Sequence, residues 1–257
     1  MDLTPEDIVR IDGVEFHGGE GFDGFYISAG GLVGWDDTPD VKFTSVDIDD
    51  GDGEYDTPVH YGVRVLTVSG FCYAKSSEQL GAYRNRFAGI DPRTQRVEVT
   101  LHGATTFGLG KMAAASKFEV DIPGRRAAFQ LSRRFVDPYR YGRLNTTGAP
   151  GGSTTTVFHY GNAPATSLLT MTGSDANNYV ILGPNGRRVE VNTPLTAGVP
   201  HTFDTASGVL TVGGAVKYGV LGQVDLWRTF PGTQTAVGMS NTDSANQLTV
   251  ETWDTYI

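Results

Sequence analysis

The stretch FVDPYRYGRLNTTGAPGGSTTTVFHYGNAPA, residues 135–165, interrupts a sequence that otherwise alternates apolar and polar residues. It starts with an aromatic-rich turn around Asp137-Pro138, continues with Gly, Ser, Thr and Pro, and ends in Tyr-Gly-Asn-Ala-Pro-Ala. A tract such as GAPGGSTTT offers no core residue and is typical of a linker. The sequence therefore predicts a domain of residues 1–147, a linker over 148–156 and a second domain of residues 157–257.

The charge of the chain limits its partners. The 257 residues carry a formal net charge of −9, and the sequence pI is about 5.0. Binding to nucleic acid or to an anionic membrane surface needs clustered Lys and Arg, so we expect neither. The opening MDLTPEDIVRIDG lacks the apolar segment of a secretory signal, and no apolar run is long enough to span a bilayer. These features predict a soluble protein made in a cytoplasm, without membrane insertion.

Alternation of period two dominates the first half and predicts strands. YGVRVLTVSGFCYA (61–74) and RVEVTLHG (96–103) both show it. KFEVDIPGRRAAFQLSRRF (117–135) predicts a hairpin that turns at Pro123-Gly124. These runs favour a β domain.

One segment of the first half, SSEQLGAYRNRFAGI, has helical periodicity instead. Ser76 followed three residues later by Gln79 forms a capping box, and Leu80, Tyr83 and Phe87 follow at helical spacing. We predict one helix, residues 76–90.

The second half consists of shorter strands separated by turns. Pro184-Asn185-Gly186 and Gly213-Gly214 each lie between two apolar runs and predict hairpin turns. QLTVETW (247–253) predicts a last strand. About eight short strands in about 100 residues indicate a β-sandwich. The predicted fold class is all-β, with the single helix in the first domain.

Motifs for catalysis are absent from the sequence. It contains no Gly-x-Ser-x-Gly elbow, no phosphate loop and no His-Glu-x-x-His pair. The five histidines are scattered, and His159 is best interpreted as a satisfied strand histidine. Cys72 is alone, so neither an intrachain disulfide nor a thiolate metal cluster is expected. We predict that the protein is not an enzyme and needs no cofactor.

The acidic run DIDDGDGEYD, residues 47–56, is the one weak candidate for a metal site. Asp47, Asp49, Asp50 and Asp52 supply hard oxygen ligands of the kind that calcium prefers. The spacing fails the EF-hand pattern because no glycine falls at the sixth position. A solvated loop between strands is the favoured interpretation.

Two tryptophans leave a second function open. Trp227 and Trp253 could form a sugar-binding platform, which makes a carbohydrate-binding module for host cell-surface glycans the alternative hypothesis. Both lie in strand-like runs, where tryptophan more often packs in a core or at an edge. Burial is therefore favoured over glycan contact.

The order of motifs along the chain resembles the distal tail proteins of siphophages, the long-tailed bacteriophages with flexible tails. A capped helix follows a strand, a hairpin follows the helix, and then comes Phe-x-x-Asp-Pro-Tyr-x-Tyr-Gly (135–142). Tyr-Gly-Asn-Ala-Pro-Ala (160–165) then opens a strand, HTFDTASGVLTVGG (201–214) resembles the family's later hairpin, and WRTFPGTQ (227–234) its tryptophan and proline-glycine turn.

The resemblance implies a structural role in the virion, at the phage tail tip. In that family a tail-tube-like β-sandwich or barrel domain forms a hexameric ring, and a galectin-like β-sandwich lies outside the ring. The ring joins the tail tube to the tail-tip hub and receptor-binding apparatus, with the tape-measure protein as a further partner, and lets DNA pass without sequence-specific binding. The acidic run 47–56 is then a candidate lumen-facing or tube-facing loop.

The aromatic turn has a structural role in this interpretation. Pro138 fixes its own φ and disfavours helix at Asp137, so the pair starts a turn. The neighbouring Tyr139 and Tyr141 could then pack on both domains. We expect Asp137, Pro138, Tyr139 and Tyr141 to form a rigid interdomain elbow.

Overall fold

The computed structural model describes residues 3–240 and 243–257, and β-strands make up most of it. The chain divides into two units, the first running to Arg140 and including Ile257, the second spanning Tyr141–Tyr256. Each unit has its own cluster of buried apolar side chains. The all-β class predicted from the sequence is confirmed.

The first unit contains ten strands and one α-helix in its described residues. They are β1 (Ile8–Ile11), β2 (Val14–His17), β3 (Gly24–Val33), β4 (Val41–Lys42), β5 (His60–Tyr61), β6 (Arg64–Tyr73), α1 (Ser77–Ala88), β7 (Gln95–Leu101), β8 (Ala104–Met112), β9 (Lys117–Ile122) and β10 (Arg126–Phe135).

Seven of these strands close into a barrel. Their order is β8-β7-β1-β2-β3-β6-β10, and pairing of β10 with β8 closes the barrel. Neighbours are antiparallel except β2 and β3, which are parallel. Alternate residues of each strand point inward, so Ile11, Phe16, Phe25 and Phe129 meet in one core. Strand β9 pairs with the other edge of β10.

The helix forms where its capping residues predict it. The Ser76 side chain accepts a hydrogen bond from the Gln79 backbone N–H at 3.2 Å, and the Gln79 side chain accepts from the Lys75 N–H at 2.8 Å. Leu80 and Phe87 are buried against the barrel core. The helix ends at Ala88, two residues before the predicted limit.

The second unit is a sandwich of two sheets. Its strands are β11 (Arg140–Pro150), β12 (Thr154–Val157), β13 (Ser167–Thr172), β14 (Tyr179–Leu182), β15 (Arg188–Val191), β16 (His201–Asp204), β17 (Val209–Val212), β18 (Ala215–Val216), β19 (Leu221–Val224), β20 (Thr235–Met239) and β21 (Gln247–Tyr256). One sheet contains β18-β17-β16-β13-β21-β11 and the other contains β12-β20-β14-β15-β19.

Side chains from both sheets fill the space between them. Leu169, Phe203 and Val250 come from one sheet, and Ile181 and Val237 from the other. All five are buried. The predicted hairpins at Pro184-Asn185-Gly186 and at Gly213-Gly214 join β14 to β15 and β17 to β18.

The segment 148–156, predicted as a linker, belongs to the sandwich instead. Strand β11 continues to Pro150, a turn follows, and β12 pairs with β20. Ala149 is buried, and the Gly151 and Gly152 N–H groups donate to Asn246 O and Met239 O. The division between the units falls at Arg140/Tyr141 and not within the Gly/Ser/Thr tract. Threonine favours strands, and backbone hydrogen bonds compensate for the missing core side chains.

Candidate interaction surfaces

The Asp-Pro turn is held by a buried arginine. Arg64 at the start of β6 is 2 % exposed, and its Nε donates to Pro138 O at 2.9 Å. Its Nη1 donates to Gly34 O at 3.0 Å and to Asp37 O at 2.7 Å. Burial lowers the pKa of this guanidinium to about 10, and the nearby Arg140 acts in the same direction. One cation therefore fastens two loops of the first unit to a barrel strand.

Sequence reasoning missed Arg64. It occupies an ordinary position in an alternating strand, and its neighbours in space lie about 30 and 74 residues away in the chain. An arginine at an inward position of a strand was the available signal, since arginine is almost never fully buried without partners.

The four predicted elbow residues lie at the division between the units. The Asp137 carboxylate accepts from the Tyr139 N–H at 3.1 Å, which is the local turn expected of Asp before Pro. Tyr139 and Tyr141 are half-buried, and Tyr141 is the first residue of the second unit. The interdomain role of Asp137, Pro138, Tyr139 and Tyr141 stays a prediction.

The Tyr-Gly-Asn-Ala-Pro-Ala motif packs on the end of β21. His159 is buried; its Nδ1 accepts from the Gly161 N–H at 3.1 Å, so its Nε2–H donates to Thr229 O at 3.1 Å. Any Cβ at Gly161 would lie 1.9 Å from Thr255 O, which explains the glycine. The Asp254 carboxylate accepts from the Tyr160 N–H at 2.8 Å. His159 is thus a satisfied structural histidine.

The acidic run forms the end of an exposed β-hairpin, residues 41–61, which we call the arm. Strands β4 and β5 pair at its base, and the Gly62 N–H donates to Asp40 O at 2.6 Å below them. Farther out, Asp47 and Glu54 form a β-bridge and the Tyr55 N–H donates to Val46 O at 2.9 Å. No residue of the arm is buried. The favoured interpretation as a solvated segment agrees with this exposure.

The weak metal candidate is not assembled into a site. In the part of the chain that the structure describes, no group of three or more His, Cys, Asp or Glu side chains is placed to hold a metal ion. Asp47, Asp49, Asp50 and Asp52 are all exposed on the arm.

The arm carries apolar as well as acidic side chains in solvent. Phe43 is 64 % exposed, Tyr55 58 % and Val59 61 %, and Val41, Val46 and Tyr61 are exposed as well. An isolated hairpin with its apolar side chains in water is at best marginally stable. A row of exposed apolar residues on such an arm is typical of a protein contact surface.

A pair of cations on the barrel is opposite in charge to the acidic arm. Lys111 of β8 and Arg134 of β10 lie directly opposite each other, and both are exposed. Within residues 3–240 and 243–257 neither side chain forms an ion pair. Like charges at directly opposite positions destabilise a strand pair, so an acidic partner would relieve the repulsion.

The two tryptophans of the glycan hypothesis have different surroundings. Trp227 is 3 % exposed and belongs to the sandwich core, while Trp253 in β21 is half-buried. Since the Trp227 ring is covered, it offers no open face for stacking. Glycan contact by Trp227 and Trp253 stays untested.

The single thiol has no reactive environment. Cys72 is fully buried, and burial raises its pKa to about 12, which disfavours the thiolate that would act as a nucleophile. No helix among the described residues is long and apolar enough to cross a membrane.

Comparison with solved structures identifies the architecture. The chain superimposes on the crystal structure of the Dit protein (gp 19.1) of phage SPP1 with a TM-score of 0.73 at 15 % sequence identity, covering 98 % of this chain and 99 % of that one. The chain has the Dit fold. That SPP1 protein is described as a paradigm of the hub adsorption apparatus in phages that infect Gram-positive bacteria. The resemblance to siphophage distal tail proteins is thereby confirmed at the level of the fold.

Other comparisons add little. The phage p2 baseplate in its activated conformation gives a TM-score of 0.48 at 10 % identity over 95 % of this chain and 97 % of that chain, too low to support an argument. No family model matches the sequence, and no curated protein matches it. The Dit fold is therefore visible in three dimensions but not in overall sequence similarity.

Proposed function

We propose that this chain is a structural distal tail protein of a long-tailed bacteriophage. The observation that carries the proposal is the Dit fold over nearly the full length of both chains. In this role six copies form a ring that joins the tail tube to the tail-tip hub and receptor-binding apparatus. The tube protein, the tape-measure protein and the hub protein are its partners, its place is the virion, and the ring lets DNA pass.

The contact between copies uses the arm and the cationic pair. The arm holds the carboxylates Asp47, Asp49, Asp50 and Asp52 beside exposed apolar side chains. Lys111 and Arg134 are exposed and adjacent, and neither forms an ion pair among the described residues of its own chain. A second copy supplies the missing opposite charge, and the apolar residues of the arm are removed from water on contact.

Charge reversal tests this contact directly. A Lys111→Glu/Arg134→Glu variant should stay monomeric where the parent forms a ring, as measured by light scattering. A second variant, Asp49→Lys/Asp50→Lys/Asp52→Lys, should also fail alone but should assemble when mixed with the first, because the charges are then complementary. Lys217→Glu, an exposed substitution in the second unit, is the matched control and should not affect assembly.

The alternative function, recognition of host cell-surface glycans by a β-sandwich module, makes a different prediction. A module of that kind remains monomeric and is retained on a glycan column. A closed ring seen by electron microscopy supports the distal tail role. A parent protein that is monomeric both in solution and at phage tail tips contradicts it.

A further inference from the structure

The outer face of the barrel has a cavity of about 350 Å³ beside the loop that joins β2 to β3. Three aromatic side chains line it, Tyr26 of β3 and Phe71 and Tyr73 of β6. Tyr26 and Phe71 lie directly opposite each other in the β3–β6 pair, and the Tyr26 and Tyr73 rings are 6.0 Å apart. The rest of the lining is Leu3, Gly19, Glu20 and residues 27–29. We call this site the aromatic cavity.

The β2–β3 loop is held against the aromatic side chains. A Cβ at Gly21 would lie 1.9 Å from the Tyr26 ring, so the loop backbone touches that ring. The Gly18 N–H donates to Asp7 O at 2.7 Å and fixes the start of the loop. Phe22, the residue after this contact, is 90 % exposed. A large aromatic side chain left in water beside a cavity is typical of a contact surface.

Glu20 gives the aromatic cavity a negative charge. It is the one charged side chain among the described residues that line the cavity. It is exposed, and within residues 3–240 and 243–257 it forms no ion pair. A cationic ligand would therefore find an acid that no side chain of the described structure neutralises.

The other charged groups close to the three aromatic side chains balance one another. Each cation has an anion beside it: Arg126 with Asp121, His17 with Glu15 at 3.5 Å and Lys75 with Asp23 at 2.9 Å. On the far side of Phe71, a second cavity is lined by one cation and one anion, Lys117 and Glu119. The uncompensated charge at the aromatic cavity is that of Glu20.

The chain itself shows which cation suits these aromatic rings. The Arg126 guanidinium lies over the Phe71 ring, with Cζ 4.8 Å from the ring centroid, and Arg96 lies over Phe107 at 3.7 Å. Arg126 does not line the aromatic cavity, so the cavity faces a part of the cluster that Arg126 leaves open. Aromatic faces attract cations, and the planar guanidinium also stacks on them, which an ammonium does not.

We propose that the aromatic cavity binds the guanidinium of an arginine side chain from a neighbouring tail protein. The guanidinium lies against Tyr26, Phe71 and Tyr73 and pairs with Glu20, while Phe22 contacts apolar residues that flank the arginine. The assignment to a tail protein rests on the proposed function. The cation site itself belongs to the single chain.

The aromatic cavity is separate from the contact proposed between copies. Phe71 lies six residues farther along β6 than Val65, the residue opposite Arg134. Six residues of a strand span about 20 Å. One barrel can therefore hold the arm of a second copy at one end of β6 and an arginine of another protein at the other end.

The test is a titration of the full chain with N-acetylarginine amide, followed through the NMR signals of the aromatic side chains. We expect saturable shifts with millimolar affinity, because each exposed cation–π contact is weak. N-acetylcitrulline amide has the same shape without the charge and should bind much more weakly.

Variants assign the binding to the aromatic cavity. Glu20→Gln should weaken it about threefold, as for an exposed ion pair. Tyr26→Leu should weaken it by at least a similar factor, while Tyr26→Phe, which keeps the ring, should bind as the parent does. Glu54→Gln, an exposed change in the arm, is the matched control.

Three results would overturn parts of the proposal. Equal affinity for the citrulline and arginine amides overturns the cation site, as does the absence of saturable shifts below about 50 mM. Tighter binding of N-acetyllysine amide overturns the choice of a guanidinium. Failure of Glu20→Lys to form the ring overturns the assignment to a different protein, because the cavity then serves the contact between copies. A monomeric parent that binds the arginine amide contradicts the ring role and leaves the cation site standing.

Discussion

At the scale of single residues, Arg64 shows how a buried cation can act as a fastener. Its guanidinium donates to carbonyls of two separate loops of the barrel unit. A charged group inside a protein is costly, so it persists where several acceptors compensate for lost hydration. Here the acceptors are the backbone oxygens of Pro138, Gly34 and Asp37.

We expect Arg64→Ala to lower the free energy of unfolding by about 3 kcal/mol, because it removes the donor shared by the part-buried carbonyls of Pro138, Gly34 and Asp37. Arg64→Lys should also destabilise the protein, since one ammonium cannot span positions at both Pro138 and Gly34. Denaturant unfolding measures both effects. Arg84→Ala, at an exposed arginine of α1, is the control, and a parent-like Arg64→Ala variant would contradict the fastening role.

His201 makes stability depend on pH. It is buried in β16 with its Nδ1 hydrogen-bonded to the Tyr179 hydroxyl at 2.8 Å, and burial lowers its pKa below the usual 6.5. The unfolded chain therefore takes up the proton first as the pH falls. The stabilisation from neutral His201 is complete above about pH 6.5 and is lost progressively below it.

A melting series from about pH 7 to about pH 5 tests this dependence. The melting temperature of the parent should fall more steeply than that of His201→Asn, which keeps a hydrogen-bonding side chain that does not titrate. His60→Asn in the exposed strand β5 should behave like the parent. Equal slopes for the parent and His201→Asn would show that this histidine does not set the pH response.

At the scale of elements, the arm is a hairpin that lies outside the barrel core. Its base is closed by the hydrogen bond from Gly62 N to Asp40 O, and none of its side chains enters the core. Replacing residues 41–61 with Gly-Gly should change the free energy of unfolding by no more than about 0.5 kcal/mol, as for other surface changes. The same variant should fail to form the ring.

Thermal unfolding and light scattering on one sample measure both properties. If the variant without the arm still forms the ring, the arm is not part of the contact between copies. A strongly destabilised variant would show that the arm supports the barrel itself.

Local signals identified some elements and missed others for physical reasons. The helix was predicted because Ser76 and Gln79 cap it through neighbours in sequence. The Pro184-Asn185-Gly186 hairpin was predicted because its turn chemistry is local too. The tract 148–156 was misread because Gly and Thr acquire their strand conformation from β20 and Asn246, partners about 80 to 95 residues away.

At the scale of the whole molecule, net charge governs contact with DNA. The chain carries −9, and DNA binding without sequence preference needs several Lys or Arg contacts to phosphate. We expect no retention of double-stranded DNA in a filter-binding assay near 0.15 M salt. A variant with Asp49, Asp50 and Asp52 all changed to Lys should be retained more. Tight binding by the parent would argue against smooth DNA passage through a ring of this protein.

Features that bring distant segments of the chain together could not be predicted from the sequence. β2 pairs with β3 in parallel, and β8 pairs with β10 to close the barrel. The alternation of apolar residues in these strands does not predict which strand pairs with which. The loop cavity of the second unit is equally hidden, because it draws Asn185, Ala206 and Phe230 from three separate loops. The order of motifs along the chain did predict the Dit fold, since family resemblance carries topology that periodicity does not.

The β8–β10 pairing that closes the barrel also determines when the barrel can form during synthesis. Val9 of β1 can pair with Val99 only after β7 has been translated. The pairs Lys111 with Arg134 and Gly110 with Phe135 need β10, the last strand of the unit to be translated. A nascent chain that stops before Phe135 therefore has unpaired strand edges, the state most prone to aggregate and to attract chaperones. Once Phe135 has left the ribosome, the barrel can close while the sandwich is still being translated. A ribosome pause would be tolerated once Phe135 has emerged and harmful while β10 is still inside the ribosome.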